Sequence, residues 1–186
     1  MASSSWWTKS MGLIRIAFGL LWAIAAIYKW QPGFINNVPH YFTHHMQGQL
    51  PIAQTWITLW ANIVQMNPQL FGYIIAISET ALALALILGL FNNLTYICGF
   101  ILSLGIWSAA EGFGGPYRAG ATDIGTAIVY AFVFASLFFA TDSRYYSIDR
   151  YLLPKLGPLH FLASTPHTSL ASTKDIPVPD KVTTGL

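Results

Sequence analysis

Long apolar runs separated by short polar stretches dominate the hydrophobic pattern of this chain. Because an α-helix needs about 20 mainly apolar residues to cross a bilayer, runs of this length indicate membrane spans. Small residues recur one helical turn apart within the runs, and this arrangement lets membrane helices approach closely. The pattern predicts an all-α integral membrane protein, a four-transmembrane-helix bundle that forms one domain over residues 1–153, with spans at about 11–30, 70–91, 94–110 and 123–140.

The first apolar run has a second interpretation, a secretory signal peptide. Lys9 precedes the run, and Ala23-Ile24-Ala25 has the small residues of a cleavage site. Arg15 lies within the run, however, and the apolar stretch is long for the core of a signal peptide. The sequence therefore favours a retained membrane span over a cleaved leader.

The stretch between the first two spans, residues 31–69, contains no Asp, Glu, Lys or Arg but is rich in Asn, Gln, His and Trp. Within it, residues 51–66 have a helical period, with large apolar residues on one face and polar residues on the other. The apolar face carries Ile52, Trp56, Leu59, Trp60 and Ile63. We therefore predict an extra interfacial helix in the first external loop, lying across the mouth of the bundle; a buried lid is the alternative.

The chain becomes polar after residue 140. Residues 143–153 have the pattern of a short amphipathic helix resting on the membrane surface, where Tyr145 and Tyr146 suit the interfacial aromatic belt. Residues 154–186 are rich in Pro, Ser and Thr and have no apolar period. This composition predicts a proline-rich, extended cytoplasmic tail.

Composition agrees with a membrane protein. Charged residues make up 9% of the 186 residues, whereas soluble domains carry about 25%, so the lipid bilayer is a predicted partner. The net charge of +2 is too small to indicate nucleic-acid binding. The single cysteine, Cys98, excludes an internal disulfide, a CxxC redox pair and a cysteine-based metal cage.

Lysine and arginine residues near the span ends predict the orientation, because cytoplasmic loops of membrane proteins carry an excess of these cations. One side of the bundle has Lys29 and Arg118, and the opposite side has Lys9, Arg15, Arg144, Arg150 and Lys155. We therefore expect both termini in the cytoplasm and the uncharged loop outside.

Four short motifs bring one known family to mind. Arg15 and Gly19 form Arg-x-x-x-Gly, and Lys29 ends the same span. Glu79 precedes an alternating Ala/Leu run that ends at Gly89. Together with residues 143–153, these motifs resemble the DoxX/DoxD family, and the Gly-Gly-Pro-Tyr-x-x-Gly-x-Thr-Asp-Ile-Gly-Thr block at residues 114–126 resembles its DoxD branch.

The resemblance covers residues 11–153. It implies a membrane subunit of a quinone-linked oxidoreductase in a prokaryotic cell membrane, similar to the small DoxD subunit of thiosulfate:quinone oxidoreductase. The sequence has no motif for a bound flavin, haem, iron–sulfur or nucleotide cofactor, so the chain offers at most a quinone pocket and needs other subunits to deliver electrons. The alternative is a non-catalytic accessory or scaffold subunit that stabilises a larger membrane complex.

Several charged residues lie within or beside the apolar runs, where an ionisable group is costly unless it is paired or hydrated. Glu79 lies about nine residues into the second span, which is about 13 Å at 1.5 Å per residue and close to the bilayer middle. If the resemblance holds, Glu79 is a proton-handling acid beside a quinone headgroup. The alternative is a hydrogen bond to a neighbouring helix, through Arg15 or a serine.

The glycine- and proline-rich turn between spans three and four carries Glu111, Arg118 and Asp123. With Glu79 these are the candidate catalytic residues of a polar pocket near the outer face. Asp123 also suits a helix first turn, where a carboxylate complements the macrodipole, and Glu111 and Arg118 can form an ion pair that staples the turn. The candidate quinone-binding residues are Lys29, Trp22, Trp107 and Tyr117, although aromatic packing within the bundle also explains the two tryptophans.

Three histidines, His40, His44 and His45, lie in the uncharged loop. A spacing of four places two imidazoles on one helical face, as metal sites use. No carboxylate or cysteine is nearby in the sequence, so they are weak metal candidates, and histidines that face solvent or the lipid interface are the alternative. We predict no metal site.

Overall fold

The structure is a computed structural model that describes residues 2–116, 124–140, 146–152 and 161–163. All regular elements in these ranges are helical. The helices are α1 (Ala2–Lys29), α2 (Pro32–Ile35), α3 (Val38–Thr43), α4 (Pro51–Gln65), α5 (Pro68–Leu88), α6 (Asn92–Gly105), α7 (Thr126–Phe139) and α8 (Asp149–Leu152). A π-helical turn, Ile106–Ala110, continues α6, and a 3-10 turn, Gly112–Gly114, follows it.

Three segments of the described chain are long and apolar enough to cross a membrane, namely Trp6–Lys29, Pro68–Leu88 and Asn92–Ala110. These segments confirm the prediction of an all-α integral membrane protein. The helix at the predicted fourth span, α7, is a shorter apolar helix of 14 residues. The predicted start of that span, residue 123, lies outside the described residues.

Small residues bring the long helices together. A Cβ atom at Gly19 of α1 would lie 2.9 Å from the Leu86 and Ile87 side chains of α5, so only glycine permits this approach. Gly99 of α6 lies directly against the ring of Phe134 on α7. Small-residue spacing in the sequence therefore marks real helix contacts, around a core that includes Phe18, Leu82, Leu86, Tyr96 and Leu137.

The predicted span bounds place the turn between α5 and α6 at Asn92-Asn93. In the structure this turn lies earlier in the chain. Gly89 ends α5 with a left-handed φ of 67°, a helix ending that glycine permits without strain. Asn92 is then the first residue of α6, and it is buried. The turn comprises residues 89–91.

Residues 146–152 are attached to this turn by hydrogen bonds. The Asp149 carboxylate accepts hydrogen bonds from the backbone N–H groups of Phe91 (2.6 Å) and Asn92 (2.8 Å). Ser147 accepts from the Asn92 amide (2.9 Å) and donates to the Gly89 carbonyl (2.7 Å). Asp149 and Ser147 are 1% and 2% exposed, so one side of the segment is buried against the bundle, whereas Tyr146 and Tyr151 are exposed. The described helix in this segment is α8, Asp149–Leu152, and the location of the predicted helix at the membrane surface stays a prediction.

Arg15 belongs to the same polar cluster. Its guanidinium donates to the backbone carbonyls of Leu86 and Tyr146 and interacts electrostatically with Asp149. The hydrogen bond suggested between Arg15 and Glu79 is therefore not formed. The guanidinium instead binds carbonyl groups at the end of the bundle where the chain turns from α5 into α6.

The first loop contains three helices, of which α4 is the longest. The predicted helix over 51–66 is confirmed as Pro51–Gln65. The residues that pack it onto the protein are Ala53, Ile57, Ala61 and Val64, whereas Ile52, Trp56 and Leu59 are exposed. The face with the bulkiest apolar residues therefore points away from the bundle, and a narrower face holds the helix in place.

The predicted tail, residues 154–186, lies mostly outside the described residues. Its described part, residues 161–163, contacts the start of α6, since the Asn93 amide donates to the carbonyls of Phe161 (3.0 Å) and Ala163 (3.4 Å). Ala163 is fully buried. This part of the tail is thus attached to the bundle on the same side as Arg15.

Candidate functional site

A cavity of about 810 Å³ lies between the loop helices, the N-terminal half of α5 and the C-terminal half of α6. Its charged and histidine side chains are Lys29, Glu79, Glu111, His40, His44 and His45. The rest of the wall is mostly apolar. The fold therefore brings together six polar residues that are as far as 82 positions apart in the sequence.

Glu79 is the most buried charged residue in this cavity. Its side chain is 3% exposed, and Oε1 lies 3.9 Å from Nζ of Lys29. Among the residues that the structure describes, none donates a hydrogen bond to Oε2. A buried carboxylate oxygen without a donor is costly, so this oxygen is suited to a polar group that enters the cavity.

Lys29 is positioned by aromatic rings as well as by Glu79. Its Nζ lies 4.3 Å from the ring centre of Phe34 and 5.9 Å from that of Tyr41, which are cation–π distances. The Lys29 side chain keeps 28% of its surface exposed. Lys29 therefore reaches from the end of α1 into the cavity, and the two aromatic residues of the loop, which the sequence did not single out, hold it there.

Glu111 follows the π-helical turn, where the Glu111 N–H bonds to the Ile106 carbonyl (2.9 Å). Such turns are rare and often occur at functional sites. Both carboxylate oxygens of Glu111 accept from the backbone N–H of Ala127, at 3.2 and 3.0 Å. Glu111 thus caps the N-terminus of α7, the role that the sequence suggested for Asp123.

The segment before α7 needs glycine for this contact. Gly125 has a φ of 87°, and a Cβ atom there would lie 2.6 Å from Oε2 of Glu111. The indole N–H of Trp107 donates to the Ile124 carbonyl at 2.8 Å. Trp107 therefore braces the same segment, and it does not line the cavity.

The three histidines follow one another along one part of the cavity wall. The ring centres of His40 and His44 are 5.7 Å apart, and those of His44 and His45 are 5.1 Å apart. Burial lowers the pKa of His45, the neighbouring His44 lowers it further, and Glu111 acts in the opposite direction. Within the described residues, no group of three His, Cys, Asp or Glu side chains is arranged to hold a metal ion.

The remaining predicted site residues lie elsewhere. Trp22 is 3% exposed and packs against Phe18, Tyr130 and Phe134 in the bundle core, away from the cavity wall. Arg118, Asp123 and Tyr117 lie outside the described residues. The predicted ion pair between Arg118 and Glu111 is therefore not tested. Their roles stay predictions.

Gln49 is a loop contact that the sequence did not indicate. Its amide donates to the Gly112 carbonyl at 2.7 Å and thereby ties the first loop to the turn that follows α6. A Cβ atom at Gly112 or Gly115 would meet the Gln49 side chain. The absence of side chains at Gly112 and Gly115 thus lets the first loop pack against the turn. No sequence pattern indicated this contact between Gln49 and the turn.

A family model described as "TQO small subunit DoxD" matches residues 10–166 of this chain. The matched range contains every residue of the cavity wall. No curated protein and no solved structure matches the chain. The match confirms the resemblance that the motifs indicated.

Proposed function

The chain belongs to the DoxD family, and from this premise we propose that it is the small membrane subunit of a thiosulfate:quinone oxidoreductase whose cavity binds the quinone headgroup. In this proposal, other subunits of the complex bind thiosulfate, the electron donor, and deliver its electrons. The role of this chain is to hold the ring and to exchange a proton with it.

The observation that carries this proposal is the buried Oε2 of Glu79, which accepts no hydrogen bond from the described residues. Glu79 lies ten residues before Gly89, which is about 15 Å along the helix and half of a bilayer core of about 30 Å. An acid at that depth marks a functional site in most membrane proteins. Quinone reduction takes up two electrons and two protons, so a protein acid beside the ring meets a chemical requirement.

The other cavity residues suit the carbonyl oxygens and the apolar faces of a quinone ring. A quinone carbonyl oxygen can accept a hydrogen bond from the Lys29 ammonium group, and the hydroxyl of the reduced ring can donate to Oε2 of Glu79. The apolar wall, which includes Phe71, Ile75 and Leu102, suits an aromatic ring. The volume is within the range of about 300–1,000 Å³ that small-molecule sites have.

The membrane arrangement is part of the proposal. We place both termini in the cytoplasm of a prokaryotic cell, and α7 with the residues before it forms the fourth span. α4 is the interfacial helix, because the exposed Ile52, Trp56 and Leu59 form a stripe beside the packed face and tryptophan favours the membrane interface. The cavity then opens toward the outer face.

The test is quinone reduction by the purified complex with Glu79→Gln, which keeps the shape and removes the exchangeable proton. General acid–base groups contribute about 100-fold to 10,000-fold in rate, so we expect turnover to fall at least about 100-fold. Ser136→Ala is the matched control, because Ser136 bonds within its own exposed helix turn (2.8 Å to Phe132) far from the cavity wall. Unchanged turnover in Glu79→Gln would remove Glu79 from the mechanism.

The accessory role is the second candidate. It is supported by the attachment of residues 161–163 to the bundle, where the Asn93 amide donates to the carbonyls of Phe161 and Ala163. Deleting residues 164–186 separates the candidates. Loss of assembly with full activity in the complex that still forms would favour an accessory subunit.

A further inference from the structure

Part of the cavity wall lies on an exposed, apolar face of α6. Ile101 and Gly105 lie one helical turn apart on α6, and both line the cavity. Ile101 is nevertheless 62% exposed, and Gly105 is also exposed. A Cβ atom at Gly105 would meet nothing within 4 Å. The cavity wall is therefore open at this face of α6.

The opening lies at the depth of Glu79. Glu79 is ten residues before the turn at 89–91, and Ile101 is ten residues after it. At 1.5 Å per residue both are about 15 Å from the turn, in the middle of a bilayer core of about 30 Å. Because α5 and α6 run in opposite directions from that turn, the two residues share one level of the membrane.

The two openings differ in chemistry. His40 and His44 are exposed at the outer mouth, near Lys29, so water and protons can reach the cavity there. The side opening presents Ile101 and a bare glycine, and its neighbours on α6 that face outward, Ile97 and Phe100, are apolar and exposed as well. The apolar outer surface of α6 is thus continuous with the apolar cavity wall.

We propose that the isoprenoid tail of a quinone leaves the cavity through this opening into the hydrocarbon of the bilayer, while the ring stays at Glu79. The inference rests on the proposed quinone site. A tail of many isoprene units does not fit in 810 Å³ beside the ring, and the outer mouth would expose it to water. The level of Ile101 and Gly105 is the direct route to hydrocarbon.

Gly105→Phe tests the opening in the intact complex reconstituted in liposomes. A Cβ atom at Gly105 meets nothing within 4 Å, and Gly105 has ordinary helical angles, so the backbone accepts a side chain there. The probes are a long-chain menaquinone and menadione, which has the same ring without the tail. We expect KM for the long-chain quinone to rise at least tenfold, KM for menadione to change less than twofold, and kcat to be retained.

Gly33→Phe is the matched control, since a Cβ atom at Gly33 also meets nothing within 4 Å but Gly33 does not line the cavity. We expect wild-type KM for both probes. Ile101→Trp is a second obstruction of the same opening, for use if Gly105→Phe does not assemble, with the same expected split between the two quinones.

The outcomes separate this inference from the proposed function. Wild-type KM for both quinones in Gly105→Phe and Ile101→Trp, with turnover still lost in Glu79→Gln, overturns the opening and leaves the ring site. An equal rise in KM for the long-chain menaquinone and for menadione also overturns the proposed opening, because the substitution then displaces the ring itself. A phospholipid that mass spectrometry finds on the wild type but not on Gly105→Phe, with unchanged KM values, would assign the opening to a lipid chain instead.

Discussion

Asp149 is expected to be one of the largest single contributors to the stability of the bundle, although it lies near the end of the described chain. Its two carboxylate oxygens accept hydrogen bonds from the backbone N–H groups of Phe91 and Asn92, and it is 1% exposed. These two N–H groups open α6, where the helix itself cannot supply acceptors. Asp149→Ala leaves both donors buried without a partner.

The magnitude follows from the contacts that are lost. Hydrogen bonds to a charged group contribute about 1.5–3 kcal/mol each, and Asp149 accepts two of them. We therefore expect the free energy of unfolding to fall by about 3–6 kcal/mol in Asp149→Ala. Asp149→Asn should lose less, since one oxygen still accepts.

Denaturant titration in detergent micelles, followed by far-ultraviolet circular dichroism, measures this loss. Asn67→Ala is the control, because the Asn67 side chain caps α5 in the same way, accepting from the Leu70 N–H at 3.1 Å, but in an exposed position. Loss of such a cap costs about 1 kcal/mol. If Asp149→Ala were no more destabilising than Asn67→Ala, the clamp between residues 146–152 and the turn would not be what holds this end of the bundle.

Two further predictions concern the end of the bundle that contains the cavity. Glu111→Ala removes the cap of α7 at Ala127 and should lower the free energy of unfolding by about 1 kcal/mol, with Glu111→Gln in between; equal stability of all three forms in the same titration would argue against the cap. Because the folded pKa of His45 is lowered by burial, the unfolded chain binds its proton first as the pH falls below about 6.5, the ordinary histidine value. Stability should therefore fall on acidification and then level off below the folded pKa. His45→Gln should reduce this slope in thermal melts across that pH range, and an identical pH profile would contradict the prediction.

The polar cluster around Arg15 shows where sequence reasoning stops. The motif at residues 143–153 was noticed, but its physical role depends on Asp149 meeting the turn at residues 89–91, 58 positions earlier. A surface helix and a buried clamp have similar local patterns. Only the packing of the chain end against α5 and α6 distinguishes them, because hydrogen bonds between distant segments leave no periodic trace in the sequence.

Glu111 and Glu79 illustrate the same division within the candidate site. Both were selected because a charge beside an apolar run is costly, and both line one cavity. Their environments differ, however, since the oxygens of Glu111 accept from Ala127 whereas Oε2 of Glu79 has no donor among the described residues. The sequence alone did not show that Glu111 caps a helix whereas Glu79 has an oxygen available for a ligand.

What the sequence determined by itself is the membrane character, the helical class and the family, because hydropathy, period and short motifs are local properties that each segment carries alone. The tertiary structure decided which charges are satisfied, which face of α4 packs, and where the cavity opens. These depend on how close α1, α5 and α6 approach, and that distance is set by contacts such as Gly19 against Leu86 and by the empty space at Gly105.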